Sequence, residues 1–578
     1  MSRIGVFVCH CGINIAGTVD VEQVAQALRL HPDVVYATTY RYMCSEPGQQ
    51  LLREAIQEHQ LDGVVVAACS PAMHEKTFRG ASAAAGLNPY RCEIANIREQ
   101  CSWVHEHTPV QATNKAIATV HTMVQKVNWD EALEPFRLSL TQQALVIGGG
   151  IAGIQAALDI ANAGFPVVLV EREPFLGGKM AQLSGTYLNF TAAPDLLARK
   201  VQQVHEHPHI TVLTQARVAE VEGYVGNFDV TVTVGRGEVT ESEQFSVGAI
   251  VVATGWDPYP MEKLSEYGGG EIPDVVDGLT FERMLRQGQE EGGLRRPSDG
   301  RVPREVVFVQ CAGSRDPERG VPYCSKVCCM YTAKQAMMFR EQVPVGQAYV
   351  FYIDIRSAGR GYDEYVQQAM EAHDVLYLRG KVSKIFRGGA EGDKVMVWGV
   401  DTLSGQPVEV AADLVVLATP MTPSHGATDL AQKLRAVVDR NGFFSEAHPK
   451  LRPVESLTAG IFLAGAAQGP KDIPETVSQA SGAAAKVLQM FSQREMAHEP
   501  TVACVIPQLC AACGICVEVC PYGAREIHPL WHIATVNPAL CQTCGACVMA
   551  CPNKASQIHN WTPKQVLWMA DVLLGYDQ

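Results

Sequence analysis

Ala144-Leu145-Val146-Ile147-Gly148-Gly149-Gly150-Ile151-Ala152-Gly153 decides how the largest part of this 578-residue chain folds. Four consecutive apolar residues read as a buried parallel strand. They run into a G-x-G-x-x-G turn formed by Gly148, Gly150 and Gly153, which opens a helix expected over residues 154–163. Gly164-Phe165-Pro166 ends that helix, and Val167 to Val170 makes a second strand closing on Glu171. The glycines permit a tight turn and close approach of the backbone to a pyrophosphate, whose charge faces the helix N-terminus. Glu171, eighteen residues beyond Gly153, is placed to accept hydrogen bonds from ribose hydroxyls. Strand, turn, helix, strand and acid together make a strong dinucleotide signal, where the glycines alone would be weak.

Moving outward, Arg172 leads to a second glycine pair, Gly177-Gly178, followed by Lys179. Val251-Val252-Ala253-Thr254-Gly255 is a strand ending in a small-residue turn, and Gly460-Ile461-Phe462-Leu463-Ala464-Gly465 is another strand with a terminal glycine. These segments resemble the FAD-binding half of thioredoxin-reductase-like flavoproteins, so FAD is expected here in preference to NAD. Candidate cofactor contacts are therefore Gly148, Gly150, Gly153, Glu171, Arg172, Gly178, Lys179, Ala253, Thr254, Gly255 and Gly465, with Lys471, Asp472 and Ile473 just beyond. Lys471 is the candidate catalytic residue: a positive charge near the isoalloxazine would stabilise reduced flavin. The competing reading is a loop lysine at the surface.

Flavoproteins of this class usually carry a second glycine-rich loop for a nicotinamide. Here the corresponding strand, Glu305 to Gln310, runs into Cys311-Ala312-Gly313-Ser314-Arg315. Cys324, Cys328 and Cys329 follow before a helix, and all four thiols can converge at the carboxyl edge of an open sheet. The expectation is a [4Fe-4S] cluster where a nicotinamide would bind; a redox-active disulfide and plain buried cysteines are the alternatives.

Near the C-terminal end, Cys510, Cys513, Cys516 and Cys520-Pro521 form C-x2-C-x2-C-x3-C-P, and Cys541, Cys544, Cys547 and Cys551-Pro552 repeat it. In two-cluster ferredoxins the fourth Cys of each run serves the other cluster. One cubane would take Cys510, Cys513, Cys516 and Cys551, the other Cys541, Cys544, Cys547 and Cys520. A zinc ribbon wants C-x2-C pairs separated by a long loop, and disulfides would not repeat this spacing.

The first 135 residues alternate strands and helices. Strands are expected at Ile4–Val8, Val34–Thr39 and Gly63–Ala68, and helices at Val21–Leu28, Gln49–His59, Lys76–Ala85 and Ala112–Lys126. Cys9 and Cys11 follow the first strand, Cys44 the second and Cys69 the third, so a parallel sheet would gather them at one edge. Four thiols there suffice for a further cubane, although free Cys also commonly completes apolar strands. Four clusters would use sixteen of the nineteen cysteines, leaving Cys92, Cys101 and Cys504 without an assigned role.

Composition bounds the rest. Apolar content of 47% suits a folded chain, and its length implies several domains. The net charge of −14 argues against nucleic acid as a partner. No apolar run approaches the ~18–20 residues that cross a bilayer, so no membrane insertion is expected. Thiols spaced for metal imply a cytoplasmic setting. Apolar residues at helical spacing over 562–574 suggest a terminal amphipathic helix packed on the body.

Taken together, the chain resembles the family of heterodisulfide reductase A subunits over nearly its whole length. The resemblance rests on Cys9-His10-Cys11-Gly12-Ile13-Asn14-Ile15, Ala68-Cys69-Ser70-Pro71, Gly223-Tyr224-Val225-Gly226-Asn227-Phe228, Cys311-Ala312-Gly313-Ser314-Arg315 and Gln468-Gly469-Pro470-Lys471-Asp472-Ile473-Pro474-Glu475-Thr476. It implies an α/β chain of three domains: residues 1–135 with one [4Fe-4S] cluster, a thioredoxin-reductase-like FAD domain at 140–495 with a cluster in place of the NAD(P)H site, and a ferredoxin domain with two [4Fe-4S] clusters and a terminal helix at 500–578. FAD and four [4Fe-4S] clusters are the implied cofactors. Implied partners are B and C subunits or equivalent electron-transfer proteins, a hydrogenase or dehydrogenase module, and a second copy in a dimer of hetero-oligomers. Two departures stand out. The inserted ferredoxin of the methanogen proteins, expected after Phe228, is absent because residues 229–255 hold no cysteine. Tyr187 to Ala193 replaces a family C-x-x-C. The insert is the family's route to low-potential ferredoxin, so flavin-based bifurcation or confurcation loses its usual exit. The implied function is a flavin and iron–sulfur oxidoreductase subunit relaying electrons to partner subunits. The alternatives are a self-contained NAD(P)H-dependent disulfide reductase and a non-catalytic docking subunit.

Overall fold

In a computed structural model, residues 2–236, 239–389 and 392–575 are described. The chain divides into two compact units, one formed by Met1–Leu138 with Ala497–Gln578, the other by Ser139–Met496.

In the first unit, Ile4–Cys9, Val34–Tyr40, Gly63–Ala68 and Cys92–Asn96 form a four-stranded parallel sheet, with Ile4–Cys9 between Val34–Tyr40 and Gly63–Ala68. Alternate residues feed two cores: Ile4, Val6, Val8 and Val65 face one way, Phe7, Val64 and Val66 the other. Three helices begin earlier than hydrophobic periodicity suggests, at Glu46, Pro71 and Pro109. The reason is local: each has proline in its first two positions, where the missing N–H costs no helical hydrogen bond. Ser45 also caps the first of them, accepting from the Gly48 amide.

The ferredoxin segment belongs to the same unit. It is built from two short antiparallel strand pairs, Ala503–Val505 with Ser556–Ile558 and Arg525–Ile527 with Ala534–Val536. Its own apolar cluster is small: Ala503, Cys547 and Ile558. The terminal helix, Pro563–Leu574, is capped by Thr562 in a reciprocal box with Gln565. It packs on the helix Pro109–Asn128. Trp568 stacks on Trp129 at 3.9 Å, and Gln565 Nε2 donates to Asp130 Oδ1 and to the Trp129 carbonyl. Asn560 Nδ2 donates to the Glu131 carbonyl, and its Oδ1 accepts from the Glu131 amide. The packing of a terminal helix on the body is thus observed, and its seat is the N-terminal layer.

In the second unit, Ala144–Ile147 and Val167–Val170 are neighbours in a seven-stranded sheet that also holds Ala249–Val252 and Ile461–Leu463. Helices Ile151–Asn162 and Ile473–Phe491 pack together on one face, and the antiparallel strands spanning 216–247 cover the other. A five-stranded parallel sheet, with Glu305–Val309 at its centre, repeats the arrangement. Helices Gly278–Glu291, Cys328–Gln342 and Tyr362–Glu371 lie on one face and the antiparallel strands between 382 and 412 on the other.

Candidate functional site: a dinucleotide cavity and three thiol-rich sites

The glycine turn is shaped by backbone contact. A Cβ on Gly153 would lie 1.8 Å from the Gly148 carbonyl oxygen, and one on Gly148, at φ +113°, would lie 2.4 Å from that of Ala253. Only glycine fits at either position. Gly150 precedes the helix Ile151–Asn162, whose first amides face a cavity of about 870 Å³. Gly148, Gly150, Glu171, Arg172, Gly178, Lys179, Ala253, Thr254, Gly255, Lys471, Asp472 and Ile473 all line it. Gly153 lies behind the turn. Gly465 does not reach the wall either: it packs against Ala152 and Thr476, and Ala466 takes the lining position.

Side chains differ in how free they are. Glu171 is buried; its Oε2 accepts from the Gly149 amide at 2.6 Å and its Oε1 from the Glu173 amide at 2.8 Å. The carboxylate therefore fixes the turn as well as facing the cavity. Asp472 caps the helix Ile473–Phe491 through the Glu475 amide and accepts from the Tyr362 hydroxyl at 2.6 Å. Lys179 pairs with Asp257 at 2.9 Å, and Arg172 reaches the same carboxylate at 3.7 Å. Lys471 is half-buried in the cavity wall, and that burial lowers its pKa. The Thr254 hydroxyl is buried and lacks a hydrogen-bond partner among the described residues, as expected of a group awaiting a polar ligand. The size, the glycine cradle and this orphan hydroxyl fit a bound dinucleotide.

One group was missed in the sequence reading. Lys334, 2% exposed, projects from the helix Cys328–Gln342 and donates to Glu282 Oε2 at 2.7 Å and to the Gly185 carbonyl at 2.7 Å. Ser184 Oγ and Gln335 Nε2 also donate to the Glu282 carboxylate. Burial raises the Glu282 carboxyl, but Lys334 and these donors outweigh it and hold it below the usual range. Glu282, Lys334 and Gln335 line the cavity. The available signal was a single charged residue in the stretch from Met330 to Phe339.

Cys311 stands at φ +57° just after the central strand of the five-stranded sheet, and Cys328 and Cys329 open the following helix. Burial pushes the Cys329 thiol up to about 11, with Cys311 and Cys324 adding to the effect. Cys328 is raised for the same reasons. The four thiols therefore share one electrostatic neighbourhood. Ser325, Val327 and Tyr331, from the same segment, line the dinucleotide cavity.

In the first unit, Cys9 ends its strand and its sulfur accepts from the amides of Cys11 and Met43. Burial pushes Cys69 up to about 11; Cys11 and Cys9 raise it further while Arg98 opposes. Burial and Cys11 likewise raise Cys44. Arg98 Nη1 donates to Cys11 Sγ at 3.5 Å. Cys92 starts the fourth strand, and Cys101 is buried beside Thr119.

In the ferredoxin segment, one small cavity is lined by Cys510, Cys513, Cys516 and Cys551, and another by Cys520, Cys541, Cys544 and Cys547. The amides of Ala534, Ala503 and Ala524 donate to the sulfurs of Cys510, Cys541 and Cys520. All nineteen cysteines are free thiols. No three His, Cys, Asp or Glu groups among the described residues converge on a single ion; a cubane needs no such convergence, since each thiolate binds its own iron.

Fold and site thus define a flavoprotein-type oxidoreductase joined to an iron–sulfur module. Residues 142–286 match the pyridine nucleotide-disulphide oxidoreductase family and residues 509–555 the 4Fe-4S dicluster domain. The chain is 42% identical to the second iron-sulfur A subunit of the CoB-CoM heterodisulfide reductase of Methanopyrus kandleri, covering 91% of each chain. It is 39% identical to the A subunit of the H(2):CoB-CoM heterodisulfide,ferredoxin reductase of Methanothermobacter marburgensis, covering 91% of this chain and 90% of that one. Thioredoxin reductase of T. acidophilum aligns over 61% of this chain and all of its own, with 16% identity and a TM-score of 0.42. The chain belongs to the family of heterodisulfide reductase A subunits, and it is a flavin and iron–sulfur electron-transfer protein. The Methanopyrus alignment spans 601 positions, more than the chain's 578 residues, so that relative carries sequence absent here. No helix among the described residues is long and apolar enough to cross a membrane.

Proposed function

We propose that the chain carries one FAD and four [4Fe-4S] clusters and joins two-electron to one-electron transfer inside a heterodisulfide-reductase-like complex. The observation that carries this reading is the shared wall: the segment bearing Cys324, Cys328 and Cys329 also supplies Ser325, Val327 and Tyr331 to the dinucleotide cavity. When bound, a flavin exchanges electrons singly or in pairs, whereas a cubane carries one. The residues of the chain position and tune these groups. The glycine turn and the helix starting at Ile151 hold the pyrophosphate, Thr254 supplies a free hydroxyl, and Lys471 sets positive charge at the cavity wall. Cys311, Cys324, Cys328 and Cys329 hold one cluster and Cys9, Cys11, Cys44 and Cys69 another. The two ferredoxin sets are those of the two small cavities. Buried thiols as hard to ionise as Cys69 and Cys329 are poor thiolates on their own, and iron offsets that cost.

Electrons leave to B- and C-type subunits or equivalent carriers, with a hydrogenase or dehydrogenase module as donor, in a cytoplasmic dimer of hetero-oligomers. The relatives' names, which speak of heterodisulfide, ferredoxin and H(2), support a multi-subunit complex of that redox chemistry. The test is anaerobic purification with partners retained and quantification of iron, sulfide and flavin in one sample. About sixteen irons per FAD are expected, from four cubanes of four irons. About eight irons would remove the two fold-gathered clusters. Rapid flavin reduction by NADPH in the isolated chain would favour the self-contained disulfide reductase.

A further inference from the structure

The two thiol cavities of the ferredoxin segment are not equivalent. The one lined by Cys510, Cys513, Cys516 and Cys551 is otherwise walled by apolar residues, glycine, asparagine and serine. The one lined by Cys520, Cys541, Cys544 and Cys547 also contains Arg525, the only charged side chain in either wall among the described residues. Arg525 opens a two-stranded hairpin and is 4% exposed. Its Nη2 donates to Cys547 Sγ at 3.0 Å and to Ser556 Oγ at 2.5 Å. Its Nη1 is buried and has no partner among the described residues. A thiol and a hydroxyl cannot balance a buried guanidinium, and an uncompensated buried cation is strongly unfavourable. The group is stable there only if the site carries negative charge and further acceptors. A cluster of thiolates and sulfides supplies both.

We propose that Arg525 makes the two clusters of this module unequal: it favours the reduced form of the cluster held by Cys541, Cys544, Cys547 and Cys520, and so makes that site the resting place of an electron in the module. The proposal rests on the cluster reading above. Reduction adds one electron, delivered from the flavin side of the same chain, and no bond forms or breaks. The added negative charge lies beside a fixed cation that already donates to a cluster sulfur, and such hydrogen bonds and net charge set cluster potentials. Arg525 acts on the other set through space alone. The effect there is smaller, because no hydrogen bond is made.

The experiment is an EPR-monitored redox titration of the anaerobically purified full-length chain, comparing wild type with Arg525→Met and Arg525→Lys. Iron is counted in each sample, and Cys510→Ala assigns the steps by removing the other cluster. In Arg525→Met, with iron unchanged, the reduction constant of the Cys547 cluster should fall at least about tenfold, a 59 mV shift for one electron. The other cluster should move less. Arg525→Lys keeps the charge and should retain most of the separation. Superimposable titrations, or equal shifts of both steps, overturn the proposal. So does loss of about four irons from both variants, which would make Arg525 a structural residue. A wild-type chain without two cubane signals from this segment would instead bring down the cluster reading itself.

Discussion

The N-terminal sheet and the ferredoxin segment lie in one compact unit and present thiols in opposite ways. In the sheet, Cys9, Cys11, Cys44 and Cys69 come from three strand ends up to sixty residues apart, on a body whose two apolar cores are filled jointly by the strands and the helices packed on them. In the ferredoxin segment each run of four cysteines spans eleven residues, and the apolar cluster beneath them is Ala503, Cys547 and Ile558. In the first the fold holds the thiols; in the second the bound metal has to hold the fold, because so few buried side chains cannot offset chain entropy.

The largest effect follows from removing iron. Chelation under reducing conditions should turn residues 500–560 from protease-resistant to fully cleavable, while residues 4–128 keep their hydrogen-exchange protection. Melting of both regions, or of neither, would break the comparison. Next, damage to a fold-held region should act with iron still bound. Lys334→Met leaves Glu282 buried without its cation and should destabilise the second unit by ~3–5 kcal/mol. Adding Glu282→Gln should recover much of that loss, read by thermal melting of the flavin signal. Smaller again, Trp568→Ala removes the ring stacked on Trp129 and should cost the first unit ~1–2 kcal/mol, the worth of an aromatic pair plus lost burial. Its first sign should be protease access to the terminal helix.

A pH dependence belongs to the same seam. Burial raises the Asp130 carboxyl to about 7; Lys126 opposes the shift, and Glu93, which shares that lysine, adds to it. Folding thus strengthens proton binding at Asp130. Its favourable contribution is full below the ordinary carboxylate value near 3.8 and is lost as pH rises to about 7. Asp130→Asn should flatten the stability profile of the first unit between those values. An unchanged slope would show that the lysine satisfies both carboxylates.

Much was legible because it was local. The strand-turn-helix around Gly148 and the repeated cysteine runs are short-range patterns, and each was read from residues that touch within one or two turns of chain. The same holds for the terminal helix, whose apolar spacing is contiguous, although its Thr562 cap was seen only in the fold. Helix starts at Glu46, Pro71 and Pro109 were less legible, because proline at a first helical position resembles a helix breaker until its place in the turn is known. Glu171 and Asp472 were read as cofactor contacts. Their carboxylates also serve the backbone, through the Gly149 and Glu475 amides, and that double use is a matter of folded distance.

By itself, then, the order of amino acids determined which chemistries the chain can host, since a phosphate-binding turn and tetrathiol runs are defined by neighbours in sequence. Only the folded molecule decided that the two ends of the chain make one unit, that Lys334 meets Glu282 fifty-two residues away, and that Arg525 stands at one thiol cavity and not the other. Those pairings depend on burial and on contacts between distant segments, which no local spacing encodes.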